Sequence, residues 1–164
     1  MLRTISQYGR QMTTNINNKV ECINFKQRNN TMYSFSTLLN GKIEEIEQQL
    51  IDALKEEGFG ILTEINVQTT LQEKLGIERR PYKILGACNP PLANQAIEAD
   101  PDIGLLLPCN VVLREEEDGS ICVAFMDPSA VLKLVERENI DKLADEVRSR
   151  LLRVRDSMGG SMTD

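Results

Sequence analysis

Apolar residues return at helical spacing in two stretches of this chain, and between those stretches they return mostly at strand spacing. Ile43, Ile46, Leu50 and Leu54 lie three or four residues apart, with Glu44, Glu45, Glu47 and Asp52 between them. That is the pattern of a helix with one buried stripe. Ile140, Leu143, Val147, Leu151 and Val154 repeat it near the other end. Any fold must therefore bury two long helical stripes against whatever the middle of the chain forms.

The middle reads as strands. "MYSFSTLL" alternates ahead of the first helix and ends at Asn40-Gly41, a turn signal. Gly58 stops that helix. "GILTEINVQ" then alternates, with Ile61, Thr63, Ile65 and Val67 on one face and Glu64, Asn66 and Gln68 on the other. "YKILGACN" is a third strand and "IGLLLPCNVVLREEE" a fourth. Asp118-Gly119 turns the chain into a fifth, "SICVAFMD". Short helical inserts punctuate the strands. "TTLQEKLG" closes at Gly76, "PPLANQAIEA" has its prolines where a first helical turn accepts them, and Asp127 caps a turn that begins at Pro128.

This order predicts strands near 33–39, 60–68, 82–88, 105–115 and 121–126, with long helices over 42–57 and 140–157. Neighbouring strands with a helix at either end argue for an α+β design, an antiparallel-dominated five-stranded sheet with both long helices on one face. The other face is expected to carry Leu62, Leu85, Leu106, Val112, Ala124 and Met126. So many apolar groups form a patch that a second copy would cover, and a homodimer is expected.

Charge divides the chain. Residues 1–31 hold Arg3, Arg10, Lys19, Lys26 and Arg28 against Glu21, a net of +4. Of the 19 basic and 25 acidic groups in the whole chain, 14 and 24 remain for residues 32–164, a net of −10. A domain that acidic repels nucleic-acid phosphates and anionic lipid, so neither is an expected partner. No apolar run approaches the ~20 residues that span a bilayer. The organisation expected is a disordered or targeting-like basic extension over 1–31, one globular domain over 32–158 and a flexible tail over 159–164. The extension has no secretory apolar core but shares its composition with mitochondrial targeting peptides. A cytoplasmic protein is expected, with mitochondrial import through residues 1–31 as the alternative.

The chain contains no histidine, which removes Ser/His/Asp and Cys/His nucleophile systems and any histidine-bearing zinc site. With no tryptophan and 4% aromatic residues, it offers no stacking platform for bases or sugars. The acidic runs "KIEEIEQQ" and "REEEDG" fit a solvated helix face and a hairpin. Four cysteines remain, Cys22, Cys88, Cys109 and Cys122, none in a C-x-x-C pair. Without a secretory signal they are expected as thiols.

Cys88 and Cys109 stand in twin blocks, Cys88-Asn89-Pro90-Pro91 and Pro108-Cys109-Asn110. Alternation places Cys88 with Ile84, and Cys109 with Leu105, Leu107, Val111 and Leu113. Two readings stand. Both cysteines are small buried hydrophobes, or both strand ends meet at one edge of the sheet. In the second case Cys88, Asn89, Pro90, Pro91, Cys109 and Asn110 line one pocket beside a helix N-terminus, a place for a small ligand. No metal and no cofactor is expected.

The blocks "EEGFGILTEINV", "KLG", "YKILGACNPPLA", "GLLLPCNVV" and Asp127-Pro128, in that order and spacing, resemble the domain of unknown function 302 family over residues 32–158. The resemblance implies a β-α-β4-α arrangement of the TATA-binding-protein-like type and small intracellular dimers, and it implies no catalytic or binding residues. The function expected is a non-enzymatic small-ligand-binding or interaction domain acting as a homodimer. The alternative is a thiol-dependent enzyme, or a redox- or metal-responsive protein, using Cys109 and Cys88.

Overall fold

The computed structural model of the protein describes residues 33–135 and 137–163. The expectations for residues 1–31, Cys22 among them, fall outside the described residues.

The first strand, β1 (Ser34–Leu39), leads into α1 (Ile43–Glu56), whose stripe of Ile43, Ile46, Leu50 and Leu54 is buried. The chain leaves α1 through Gly58, at φ +82°, while the Phe59 N–H donates back to the Leu54 carbonyl at 2.9 Å. That bond closes the helix end, and the left-handed turn is one that glycine adopts without strain. Next come β2 (Gly60–Asn66), α2 (Val67–Leu75), β3 (Tyr82–Cys88) and α3 (Pro90–Ala99). A 3-10 turn over Pro101–Leu106 precedes β4 (Cys109–Glu115) and β5 (Ile121–Met126). The short α4 (Pro128–Val131), capped by the Asp127 side chain, runs through a second 3-10 turn, Leu132–Val135, towards α5 (Glu138–Ser157). β6 (Ser161–Thr163) follows.

The sheet is antiparallel throughout, in the order β2-β3-β4-β5-β1-β6. Inward residues alternate along each strand. Phe35, Val123, Phe125, Val111, Leu113, Leu85 and Ala87 share one core with the stripe of α1 and with Val147, Leu151 and Val154 of α5. Phe35 and Phe125 are register partners, and their rings stack with centroids 5.4 Å apart. At the β3 side this core ends in charge. Lys83 Nζ lies 2.6 Å from the Glu47 carboxylate of α1 and 3.2 Å from that of Glu64 on β2. A second, smaller core gathers Ala96, Ile103, Leu132, Ile140 and Ala144, so the first turns of α5 pack on α3 and the 3-10 turns rather than on the sheet.

Several expectations need correction. The run from Ile103 to Leu107 is not strand. Asp100 caps a 3-10 turn by accepting from the Asp102 N–H, and Pro108 has no N–H to give a ladder. Ile103 is therefore buried, but Leu105 is 88% exposed and shares no face with Cys109. β2 ends at Asn66, not 68, because the Asn66 side chain caps α2 by accepting from the Thr69 N–H at 2.9 Å. A bulge between Ile61 and Thr63 also switches the strand's phase. Ile61 pairs with core-facing Ala87, while Thr63 pairs with Gly86 on the other face. Leu85 belongs to the main core and Leu106 packs against the second one. Of the apolar patch expected on the outer face, Val112 and Ala124 are half-buried, Leu62 is exposed, and Met126 also packs against the main core. Residues 159–164 were expected as a tail, yet Ser161–Thr163 pair with β1 and add a sixth strand to the five expected. Among the described residues no helix is long and apolar enough to cross a membrane.

Candidate functional site

The twin Cys-Asn blocks do meet. β3 ends at Cys88 and β4 begins at Cys109, whose register partner is Ala87. Asn89 turns the chain into α3. Its side-chain oxygen accepts from the Leu92 N–H at 3.3 Å, and its Nδ2 donates to the Glu57 carbonyl at 3.4 Å. Arg150 Nη1 donates to the same carbonyl at 3.2 Å, so Asn89 joins the end of α1 to the start of α3 beside α5. Cys88, Asn89 and Cys109 line one small cavity with Leu92, Ala93 and Ala96 of α3, Val147 of α5, Ala87, Leu107, Leu132 and Leu143. Pro90 and Pro91 are exposed on the first turn of α3, and exposed Asn110 pairs with Gly86 on the outer face. The structure thus gathers three of the six candidate residues and leaves Pro90, Pro91 and Asn110 outside the cavity.

Size and electrostatics limit what this cavity can do. Its volume is about 30 Å³, the share of one water and far below the several hundred cubic ångströms of an organic-ligand site. Burial, with Cys88 as a second influence, pushes the Cys109 thiol up to about 12, and burial also raises that of Cys88. Neither is set up to ionise near neutrality, as a nucleophile or thiolate ligand must. Cys122, on the outer face of β5, is also raised by burial, partly offset by the Arg114 charge. No group of histidine, cysteine and carboxylate side chains suited to a metal occurs among the described residues.

A larger concavity lies where β3 begins and β4 ends, and sequence reasoning did not find it. Glu78, Arg79, Arg80, Pro81 and Tyr82 form one wall and Arg114, Glu115, Glu116 and Glu117 the other, around about 750 Å³. Register brings the walls together: Tyr82 pairs with Arg114, and the Glu115 N–H donates to the Pro81 carbonyl at 3.1 Å. The Arg79 guanidinium lies 5.1 Å over the Tyr82 ring, and its carbonyl accepts from Gln68 of α2 at 3.0 Å. Arg80 Nη1 stands 3.8 Å from Glu117 Oε1, beyond hydrogen-bond length. Arg114 Nε approaches Glu116 Oε1 to 2.8 Å, yet that buried oxygen has no aligned hydrogen bond, so the pair is an ion contact off the N–H axis. A second concavity, of about 650 Å³, lies beside α2 on Gln68, Thr69, Gln72 and Glu73 and shares Glu78 and Arg79. The signal in the sequence was the charged triplet at 78–80 facing the run at 114–117. Nothing short of the register reveals that they are neighbours.

The third feature is an edge. Among the described residues β2 is the last strand on its side of the sheet, and Leu62 and Ile65 on it are exposed, as are Leu75 and Ile77 at the end of α2.

A family model described as "Domain of unknown function DUF302" matches residues 35–158. Among solved structures the chain is similar to the crystal structure of an uncharacterized conserved protein DUF302 from Bacillus stearothermophilus, with 28% identity and a TM-score of 0.71. That likeness covers 77% of this chain and 98% of the other. No curated protein matches.

Proposed function

The chain belongs to the DUF302 family, a domain of unknown function, and from that premise we propose that it is a non-enzymatic binding domain that works as a homodimer. The observation that carries this reading is the β2 edge. Leu62 is 63% exposed on a strand that has, among the described residues, no neighbour on that side, and such an edge is a template for another strand. Two β2 edges meeting antiparallel about a two-fold axis satisfy each other's backbone groups and bring Leu62 and Ile65 into an interface. Sedimentation at micromolar concentration is expected to give twice the 18.5 kDa of one chain, and a clean monomer there refutes the dimer.

The ligand-binding half of the reading moves away from Cys88, Asn89 and Cys109, whose cavity is too small, towards the cleft at the other end of the sheet. The thiol-based alternative gains no support from the geometry, because Cys109 is buried, Cys88 is half-buried and both thiols have raised pKa. A reducing compartment suits the free cysteines at 88, 109 and 122, and the cytoplasm is the location proposed.

A further inference from the structure

We propose that the cleft between Glu78–Tyr82 and Arg114–Glu117 binds a small zwitterion, a molecule carrying one carboxylate and one ammonium group. The inference rests on the reading of the chain as a binding domain and names the ligand class of that domain.

Three guanidinium groups reach this cleft and none is held firmly. The Arg79 guanidinium carbon lies 5.1 Å from the centre of the Tyr82 ring, a cation–π contact. Arg80 faces Glu117 across 3.8 Å, with the two side chains 53% and 90% exposed, a pair that solvent separates at little cost. Arg114 touches Glu116 at 2.8 Å without an aligned hydrogen bond. Guanidinium N–H groups are forks that match a carboxylate, and Arg80 and Arg114 offer theirs from opposite walls. The lining also holds Glu78, Glu115, Glu116 and Glu117, so its net formal charge is −1. A polyanion such as phosphate therefore meets more repulsion than attraction, and a simple cation meets three arginines. A molecule with both signs meets complementary groups for each. At about 750 Å³ the cleft has the size of small-molecule sites and accepts an amino acid or a short peptide.

The test is a titration of the ¹⁵N-labelled full chain, followed by the amide resonances of residues 78–82 and 114–117. The probes are triglycine, free glycine, N-acetyl-triglycine, triglycine amide and inorganic phosphate. Saturable shifts confined to those amides are expected with triglycine or glycine at millimolar concentration, and the tighter of the two says whether peptide or amino acid is preferred. Removing either terminal charge is expected to weaken binding by about tenfold, the loss of one charge-assisted contact. Arg114→Gln is expected to weaken triglycine by a similar factor. Because Arg114 is the register partner of buried Cys122, Arg80→Gln, at a half-exposed position, carries the same test without touching the sheet. No shift with either zwitterion overturns the proposal. So does equal binding of the capped probes, or binding of phosphate without triglycine. Sedimentation of the same samples separates the two readings: a dimer that ignores the zwitterions removes the ligand and keeps the dimer, and a monomer that binds them does the reverse.

Discussion

Gly86 shows how little room single residues have in this sheet. It sits in the middle of β3 on the outer face, paired with Thr63 and Asn110. A Cβ there would overlap the Thr63 hydroxyl and come within 2.6 Å of the Pro108 ring. Gly86→Ala is therefore expected to destabilise the fold by about 1–3 kcal/mol, the usual cost of overpacking, measurable by urea denaturation. Cys109 makes a different demand, through its proton. Its folded pKa of about 12 stands above the ordinary 9.0 of a thiol, so between those values the unfolded chain ionises first and binds fewer protons. Stability is fully present below pH 9 and falls as pH rises through that window. Near pH 10 the loss from this group is on the order of 1 kcal/mol. Lys83, whose pKa is raised by its hydrogen bond to Glu47, adds a loss of the same sign above its ordinary 10.5. Comparing thermal melts of the native chain and Cys109→Ala at about pH 8 and pH 10 isolates the thiol, since the variant is expected to lose less on the alkaline side. An equal loss in both would mean that the thiol is not held neutral by burial. In the native fold at neutral pH, iodoacetamide is expected to spare Cys109 until the chain is denatured.

Between elements, the junction at Asn89 carries more than its size suggests. One side chain closes the N-terminus of α3 and donates to the carbonyl at the end of α1, where Arg153 also grips the Glu57 carboxylate with bonds of 2.8 and 2.7 Å. Asn89→Ala is expected to cost about 1–2 kcal/mol, as loss of a helix cap does, whereas the half-exposed Arg153 is expected to matter less when removed. Equal effects in urea denaturation would place the strength of the joint in the ion pair instead. The same elements show what a one-dimensional pattern can carry. The stripes of α1 and α5 were legible because burial on one face of a helix writes a period into the sequence. The Ile103–Leu107 stretch was not, because a short apolar run between prolines fits a strand and a 3-10 turn equally well, and the cap from Asp100 decides. Thr63 and Ile65 were expected on the face of Ile61 and lie on the other one, because a bulge leaves no mark in residue type, though it moves every later side chain of the strand. Of the candidate site, the meeting of Cys88, Asn89 and Cys109 was visible in their repeated context. The volume left among them depends on Leu92, Leu107 and Val147 from distant segments, and the Arg79–Arg114 cleft depends on register alone.

At the scale of the molecule, charge would oppose the proposed dimer. The whole chain carries a net of −6, so two copies would repel through it while paired β2 edges would hold them together. Added salt screens the first and leaves backbone pairing and apolar burial in place, so the dimer is expected to tighten between low and moderate ionic strength. Leu62→Glu places a further charge at the edge and removes an apolar contact, and is expected to shift the sedimenting species from dimer to monomer with no change in the fold by circular dichroism. A variant that stays dimeric would move the interface away from β2.

The position of β1 between β5 and β6 also bears on how the protein is made. Of the described strands, the first to leave the ribosome has both of its ladder partners among the last segments to follow, while β2, β3 and β4 can pair with their neighbours as they emerge. α1 therefore has no finished core to lie on until β5 closes the register with Ser34–Leu39, and pairing across such a long intervening chain is the slow kind. Once Glu115 has cleared the ribosome, the chain can form a three-stranded meander with β1 still waiting, the stage at which a holding chaperone would have most to cover.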